Sequence, residues 1–255
     1  MKIVLKIGGN EIDDPSFLQE LADLVAQARA AGHVMVLVHG GGKEITGLLE
    51  KLGLDIKFVS GMRYTDSPTL DAVEMVLSGL INKRLVKALL RKGIDCIGLS
   101  GVDGRILIAE RILRDGNDIG LVGKVVDVNL SVLTAMVEKF AVVLSPLAVD
   151  AASTTSLNVN ADYAAAAVSS ALRSDLIIFL SNVPGVLKNG TVIHRIDELE
   201  FIDLRKTGVV SGGMVPKIEA ALAALKGGTT RAIVTDNKGA INVISGLPGG
   251  TQIVA

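Results

Sequence analysis

Two lysines stand where a lone cation calls for an anion. Lys6 is the one charge in Ile3-Val4-Leu5-Lys6-Ile7 and runs directly into Gly8-Gly9. A charge within a buried strand needs a partner. An edge lysine snorkelling to water would also satisfy the pattern, but the adjoining glycines favour a lysine aimed at phosphate. Lys217 falls in the first turn of the helical run after Gly212-Gly213. There it opposes the helix dipole unless an anion is near; a solvated helix face is the competing reading.

Glycine loops adjoin both lysines, and a third lies elsewhere. They are Lys6-Ile7-Gly8-Gly9-Asn10, His39-Gly40-Gly41-Gly42-Lys43 and Ser211-Gly212-Gly213-Met214. Bare backbone N–H groups let an anion approach closely, and a helix N-terminus adds favourable partial charge. None has the P-loop or dinucleotide spacing. Each alone reads equally well as a tight turn; three at one sheet edge argue for phosphate. Asn158-Val159-Asn160-Ala161-Asp162 opens an Ala-rich helix. Asn160 or Asp162 can cap that helix, and the cluster can also orient a substrate and the lysines. Arg63, in Ser60-Gly61-Met62-Arg63-Tyr64-Thr65, can grip a carboxylate bidentately or form an ordinary surface salt bridge.

Short apolar runs alternating with helical patterns must position these groups. Residues 3–7 and 34–38 read as buried strands around a helix at 16–31, capped by Ser16, in a right-handed βαβ unit. A long helix is expected over 70–91 and a strand over 94–99. Short strands follow at 105–110 and 123–128, with a helix at 130–139 and a strand at 141–144. A helix at 160–172 precedes a strand at 176–180. Lys188-Asn189-Gly190 marks a hairpin within 186–192. A helix at 214–226 and strands at 231–235 and 252–254 complete the pattern. This is a three-layer α-β-α sandwich with a mainly parallel central sheet. Ligands of such sheets sit beyond the carboxyl ends of the strands. The weakest seam lies around 171–175, dividing an N-terminal lobe (1–173) from a C-terminal lobe (174–255).

Composition narrows the function. The chain has 255 residues, 26 basic and 27 acidic, with 3% aromatics and no Trp. The even charge and scarce aromatics argue against a nucleic-acid partner. Cys96 is the only cysteine, which excludes an intrachain disulfide and reads as a buried core thiol. Three histidines and one cysteine are too few and scattered for a zinc site, and no metal ligands are expected. The chain enters a strand at once, with no signal peptide and no apolar run fit to span a membrane. A cytoplasmic protein is expected.

Five segments in order, Lys6-Ile7-Gly8-Gly9, His39-Gly40-Gly41-Gly42, Gly61-Met62-Arg63-Tyr64-Thr65 with Glu74-Met75-Val76, Asn158–Asp162 as quoted above, and Ser211-Gly212-Gly213-Met214-Val215-Pro216-Lys217, resemble the amino acid kinase family over essentially the whole chain. The resemblance implies the amino acid kinase / carbamate kinase-like fold, with acyl amino acid binding and dimerisation in the first lobe and ATP in the second. It implies phosphorylation of the side-chain carboxylate of N-acetyl-L-glutamate in arginine biosynthesis, with Mg2+ brought by ATP. Lys6 and Lys217 would stabilise the transferring phosphoryl group, held by Asp162. Gly41 and Gly42 would contact substrate and transferring group, with Gly8 and Gly9 near the phosphates. Arg63, Asn158 and Asn160 would fix the substrate. Ser181, Asn182, Val183, Gly185, Leu187, Val209, Val210, Ser211 and Gly213 would line the nucleotide site. A carboxylate is already a nucleophile, so no general base is needed.

Some residues depart from this pattern. Ser181-Asn182-Val183 replaces the usual Ser-Asp-Val. With Asn82-Lys83-Arg84-Leu85-Val86 and the segment Gly98-Leu99-Ser100-Gly101-Val102-Asp103-Gly104, it looks similar to kinases acting on aminoadipate or glutamate held by a small acidic carrier protein. A start at strand one, without the additional N-terminal helix of arginine-inhibited relatives, implies a homodimer indifferent to arginine. A non-catalytic sensor of amino acid or nucleotide is the rival of another class; retention of Lys6, Asp162 and Lys217 together speaks against it.

Overall fold

A computed structural model describes residues 1–9 and 12–255; Asn10, the last residue of the first glycine loop, lies outside the described residues. Strand β1 (Lys2–Ile7), helix α1 (Pro15–Ala30) and strand β2 (Val34–His39) form the expected βαβ unit, with β1 and β2 parallel. The cap of α1 is Asp14, not Ser16: its side chain accepts from Ser16 N at 2.8 Å. Pro15 occupies the first helical position, where its fixed φ and missing N–H suit a helix start.

Helix α2 (Gly42–Leu52) leads to a small hairpin of β3 (Phe58–Val59) and β4 (Met62–Arg63). The long helix expected over 70–91 begins earlier, at α3 (Ser67–Glu74), capped by Asp66. It passes through a π-helical segment, Met75–Ile81, into α4 (Asn82–Leu90). The π segment presents Leu77 and Ile81 to Gly41, where an added Cβ would strike both side chains. Such bulges often occur at functional sites.

The chain continues through β5 (Cys96–Ser100), β6 (Leu107–Arg114), β7 (Asn117–Val128), α5 (Leu130–Val137), β8 (Ala141–Ser145), β9 (Leu147–Asp150), β10 (Ser156–Val159) and α6 (Ala161–Leu172). Then come β11 (Leu176–Leu180), the hairpin β12 (Leu187–Lys188) and β13 (Thr191–Val192), β14 (Arg195–Ile196), α7 (Glu198–Lys206), α8 (Met214–Lys226), β15 (Ala232–Thr235), α9 (Asn237–Ile244) and β16 (Thr251–Ile253). Asn189 and Gly190 take φ of 53° and 78°, the left-handed pair that a two-residue hairpin turn requires. Cys96 is half-buried on an edge strand, not a sealed core thiol; its Sγ donates to Val86 O at 3.6 Å.

Among the described residues the main sheet has eight strands in the order β14-β16-β15-β11-β1-β2-β8-β5. Its pairs are parallel except β15–β16. β10, β7, β6 and β9 close a small barrel beside it. Helices cover both faces, giving the three-layer sandwich. Ile3, Leu5 and Ile7 pack into the core with Leu21 and Leu24 of α1, whereas Val4 joins Ala164 and Val168 of α6 and Ile218 of α8. Strand alternation therefore sends Lys6, two residues after Val4, toward α6. No described helix is long and apolar enough to cross a membrane.

Candidate active site

The parallel strands β2, β1, β11 and β15 end at one sheet edge. Helices α6 and α8 lead back into β11 and β15, so their N-termini point to that same edge. The topology thus places all three glycine loops and the Asn158–Asp162 run at the carboxyl ends of the strands, where α/β sheets bind ligands.

A cavity of about 260 Å³ opens there, lined by Lys6, Gly9, Gly41, Gly42, Arg63, Asn158, Asn160 and Asp162 among others. Lys6 and Asp162 are each 5% exposed, and Lys6 Nζ lies 2.9 Å from Asp162 Oδ1. The pair forms because β1 delivers Lys6 to the start of α6. Asn160 is the cap of α6, its Oδ1 accepting from Asp162 N at 2.8 Å, while Asp162 occupies the first turn. The two readings of this cluster resolve into one arrangement: Asn160 caps and Asp162 faces the cation.

The first two glycine loops touch through backbone. An added Cβ at Gly9 would lie 2.7 Å from Gly41 N and 3.2 Å from Gly42 N. Only a bare Cα permits this approach. Gly8 sits between Lys6 and this contact and does not line the cavity.

Arg63 sits at another wall, only 9% exposed. Its Nη2 donates to Thr46 Oγ1 at 2.8 Å and to Gly42 O at 3.2 Å. Its guanidinium lies 4.8 Å from the centroid of the Phe58 ring. Its Nη1 is buried without a hydrogen-bond partner among the described residues, leaving one donor of the fork for a ligand carboxylate. Burial lowers the guanidinium below its usual range. Asn158 Nδ2 donates to Thr65 Oγ1 at 3.2 Å, and Thr65 Oγ1 donates to Arg63 O at 3.1 Å. Thr46 and Phe58 escaped the sequence reading, and Thr65 stood there within the Gly61–Thr65 segment without a role of its own. Thr46 had a signal, one helical turn after Gly42.

The other predicted residues lie along the same edge but outside this cavity. Lys217 Nζ donates to Gly213 O at 3.2 Å, one turn back in its helix. Ser181, Asn182, Val183, Gly185 and Leu187 form the stretch leaving β11, and Ser181 N donates to Thr235 O at 2.8 Å. Gly185 is buried, and a Cβ there would meet Thr251 Oγ1 at 2.7 Å. Val209, Val210, Ser211 and Gly213 precede α8, with Ser211 O accepting from Met214 N at 3.1 Å. The structure brings Lys6, Asp162, Arg63, Asn158, Asn160 and Gly9, Gly41 and Gly42 into one cavity; it does not bring Lys217 or the nucleotide set into it.

His39, at the head of the second loop, is fully buried. Its Nδ1 lies 3.1 Å from Gly40 O, and Nε2 has no partner among the described residues. Burial pushes its pKa from 6.5 down to about 4, with the Lys83 charge acting in the same direction. The imidazole is therefore neutral near pH 7 and supplies no charge to the site.

The sequence model of the amino acid kinase family matches residues 1–236; this chain belongs to the amino acid kinase family. Membership in a kinase family implies ATP as phosphoryl donor. The chain is 43% identical over 254 residues to the acetylglutamate kinase of Roseiflexus castenholzii, covering 99% of this chain and 94% of that one. It is also 43% identical over 250 residues to the acetylglutamate kinase of Chloroflexus aurantiacus, covering 98% and 95%. The crystal structure of smu.665 from Streptococcus mutans UA159 superposes with a TM-score of 0.85 at 32% identity, covering 100% of this chain and 98% of that one.

Two predictions follow from this geometry. Gly9→Ala must part the first two loops, because the clash is with backbone. It should cost kinase turnover at least about 100-fold, the scale of losing an anion-stabilising donor, with the circular dichroism spectrum retained; near-normal turnover would show that the loop contact is not needed. For His39, the unfolded chain takes a proton near 6.5 and the folded chain only near 4. The unfolded state thus binds more protons between these values, and stability falls as pH drops through this window by at most about 1.4 kcal/mol per unit. Urea titrations should show this slope in the parent chain and a flatter one in His39→Gln.

Proposed function

We propose that this chain transfers the γ-phosphoryl group of ATP to the side-chain carboxylate of N-acetyl-L-glutamate, giving N-acetylglutamyl 5-phosphate for arginine biosynthesis. The observation that carries this reading is a cavity with a cation at each of two walls: buried Lys6 held by Asp162, and Arg63 with an unpartnered Nη1. Such a cavity suits a dicarboxylate. The acetylglutamate kinases 43% identical to this chain support the same substrate.

In this reading Arg63 Nη1 and Asn158 hold the α-carboxylate, and Asn160 helps set the pose. The side-chain carboxylate oxygen attacks the γ-phosphorus as the bond to the bridging oxygen breaks, and ADP leaves with the electron pair. No proton is removed, which accords with the neutral, buried His39. Lys6 and the N–H groups of Gly41 and Gly42 neutralise the equatorial oxygens. Asp162 keeps Lys6 in place. Gly8 and Gly9 lie near the phosphates. Lys217 approaches the transferring group from the nucleotide side, where Ser181, Asn182, Val183, Gly185, Leu187, Val209, Val210, Ser211 and Gly213 hold ATP. Mg2+ would come with the nucleotide, bound mainly by phosphates and water, since the cavity's own carboxylate, Asp162, faces Lys6.

The division of labour is by lobe: residues 1–173 for the acyl amino acid and residues 174–255 for ATP. The working form is a homodimer in the cytoplasm. Exposed Leu52, Met75 and Leu80, around α2 and the π segment, support a dimer face there.

The test is ATP consumption by purified protein with Mg2+, with and without N-acetyl-L-glutamate. Acceptor-dependent turnover is expected. Its absence while ATP still binds would overturn the free substrate and point to a carrier-bound aminoadipate or glutamate; absence with those also would favour the sensor. In the same assay Lys6→Ala should lower kcat by at least about 100-fold. Arg63→Ala should mainly raise the acceptor KM, by about 10- to 100-fold, the scale of a charged hydrogen bond. An unchanged KM would remove Arg63 from carboxylate binding.

A further inference from the structure

A second cavity, of about 350 Å³, lies between the β6–β7 hairpin and the outer faces of α6 and α8. Its apolar walls include Ile112 and Val125 of the hairpin, Ala166 and Ala167 of α6, and Ala223 of α8. The alanines create the space, because larger side chains on these helices would fill it. The charged lining is one-sided: Arg114 and Lys124 contribute cations, and no Asp or Glu among the described residues lines the cavity.

Arg114 makes this more than a void. Its Nε is buried and has no hydrogen-bond partner among the described residues. The carboxylate bonded to the cavity-lining Tyr163 is committed elsewhere: Glu219 accepts from Tyr163 Oη at 2.7 Å and from Arg205 Nη1 at 2.9 Å. Arg114 thus lines the cavity while one of its donors goes unsatisfied among the described residues, a desolvation cost that a ligand oxygen drawing on the guanidinium would offset.

We propose that this cavity is a second binding site, for a small organic carboxylate with an apolar body, and that its occupancy is coupled to the substrate cavity. The carboxylate meets Arg114, with Lys124 at the rim, and the apolar body lies on Ala166, Ala167 and Ala223. Coupling is physical because Met62, Val122 and Asn160 line both cavities. A ligand pressing on these side chains changes the wall beside Arg63 and the cap that positions Asp162. The binding half stands without the proposed reaction; the kinetic half rests on it.

The test uses hexanoate as probe and hexanamide as its uncharged match, titrated calorimetrically into the full-length chain. Saturable hexanoate binding is expected, at least tenfold tighter than hexanamide. Arg114→Gln should weaken hexanoate at least tenfold, and Ala167→Leu should abolish its binding by filling the space. Ala223→Leu blocks from the opposite wall and serves if the first variant fails to fold. Hexanoate should still bind when N-acetyl-L-glutamate is saturating, and should shift that substrate's KM severalfold. No binding, equal binding of acid and amide, or binding that survives both leucine variants would overturn the site. Strict competition with N-acetyl-L-glutamate would place the probe in the substrate cavity and overturn it equally. Binding without any KM shift, in protein that turns over N-acetyl-L-glutamate, would overturn the coupling; protein lacking that turnover would instead refute the reaction.

Discussion

The buried pair of Lys6 and Asp162 is the constraint around which the rest of the cavity is arranged. Two charges removed from water require each other, since either alone would carry an uncompensated desolvation cost. The partners lie 156 positions apart in sequence, at the end of β1 and the start of α6. Holding them 2.9 Å apart demands that the sheet register, the direction of α6 and its starting residue all be correct. Asn160 supplies the last of these: by capping α6 it fixes where the first turn begins, and thus where Asp162 points. The contact is a close Coulombic one more than an aligned hydrogen bond. Such a pair leaves the ammonium free to direct its protons at a third group.

The glycine loops answer a second constraint. An anion beside Lys6 needs backbone N–H donors close on its other sides. The loops after β1 and β2 approach so nearly that a methyl group at Gly9 would overlap the backbone of Gly41. The π segment then packs Leu77 and Ile81 against Gly41 from behind. Ordinary α-helical turns carry neighbouring side chains at fixed angular steps. One wider turn changes that step where the helix meets the loop, while Val76, Leu77 and Ile81 all remain buried. Arg63 is tied to the same loop through Gly42 O and Thr46, so the guanidinium and the glycine loops share a support.

What could be read from the sequence follows from how local each signal is. Lys6 was legible because one charge in an apolar strand has few explanations, and the β1-α1-β2 unit because its periods are clean. Helix α8 was found with its observed limits, Met214–Lys226, since a glycine pair and an apolar run delimit it. α7 was missed because it buries only Phe201 and Leu204, too few for a stripe. Its Asp197–Glu200 capping box was the available signal. β9 and β10, four residues each, are defined by closing a barrel with β6 and β7, which no local pattern announces. Ser16 lost the cap of α1 to Asp14 because Pro15 sets the start. The lysines and glycines of the site were legible as types; the orphaned Nη1 of Arg63 and the ring of Phe58 against it were not, because they depend on how a hairpin folds over α2.

The two unpartnered guanidinium donors illustrate how function departs from packing. Folding favours burying a polar atom only when a partner accompanies it, and Arg63 Nη1 and Arg114 Nε are exceptions among the described residues. Each residue lines a cavity. Arg63 already donates to Thr46 Oγ1 and Gly42 O and lies over the Phe58 ring, so its position is set before any ligand arrives. A donor so fixed loses little freedom on binding, which concentrates the gain on the one open hydrogen bond. Arg114 has no comparable brace: none of its side-chain atoms forms a hydrogen bond or ion pair recorded among the described residues. Ordering it on binding would cost more, so the same chemistry would give weaker affinity in the proposed second site than in the proposed substrate cavity. A braced Arg63 suits the proposed substrate site, and an unbraced Arg114 suits the proposed modulating one.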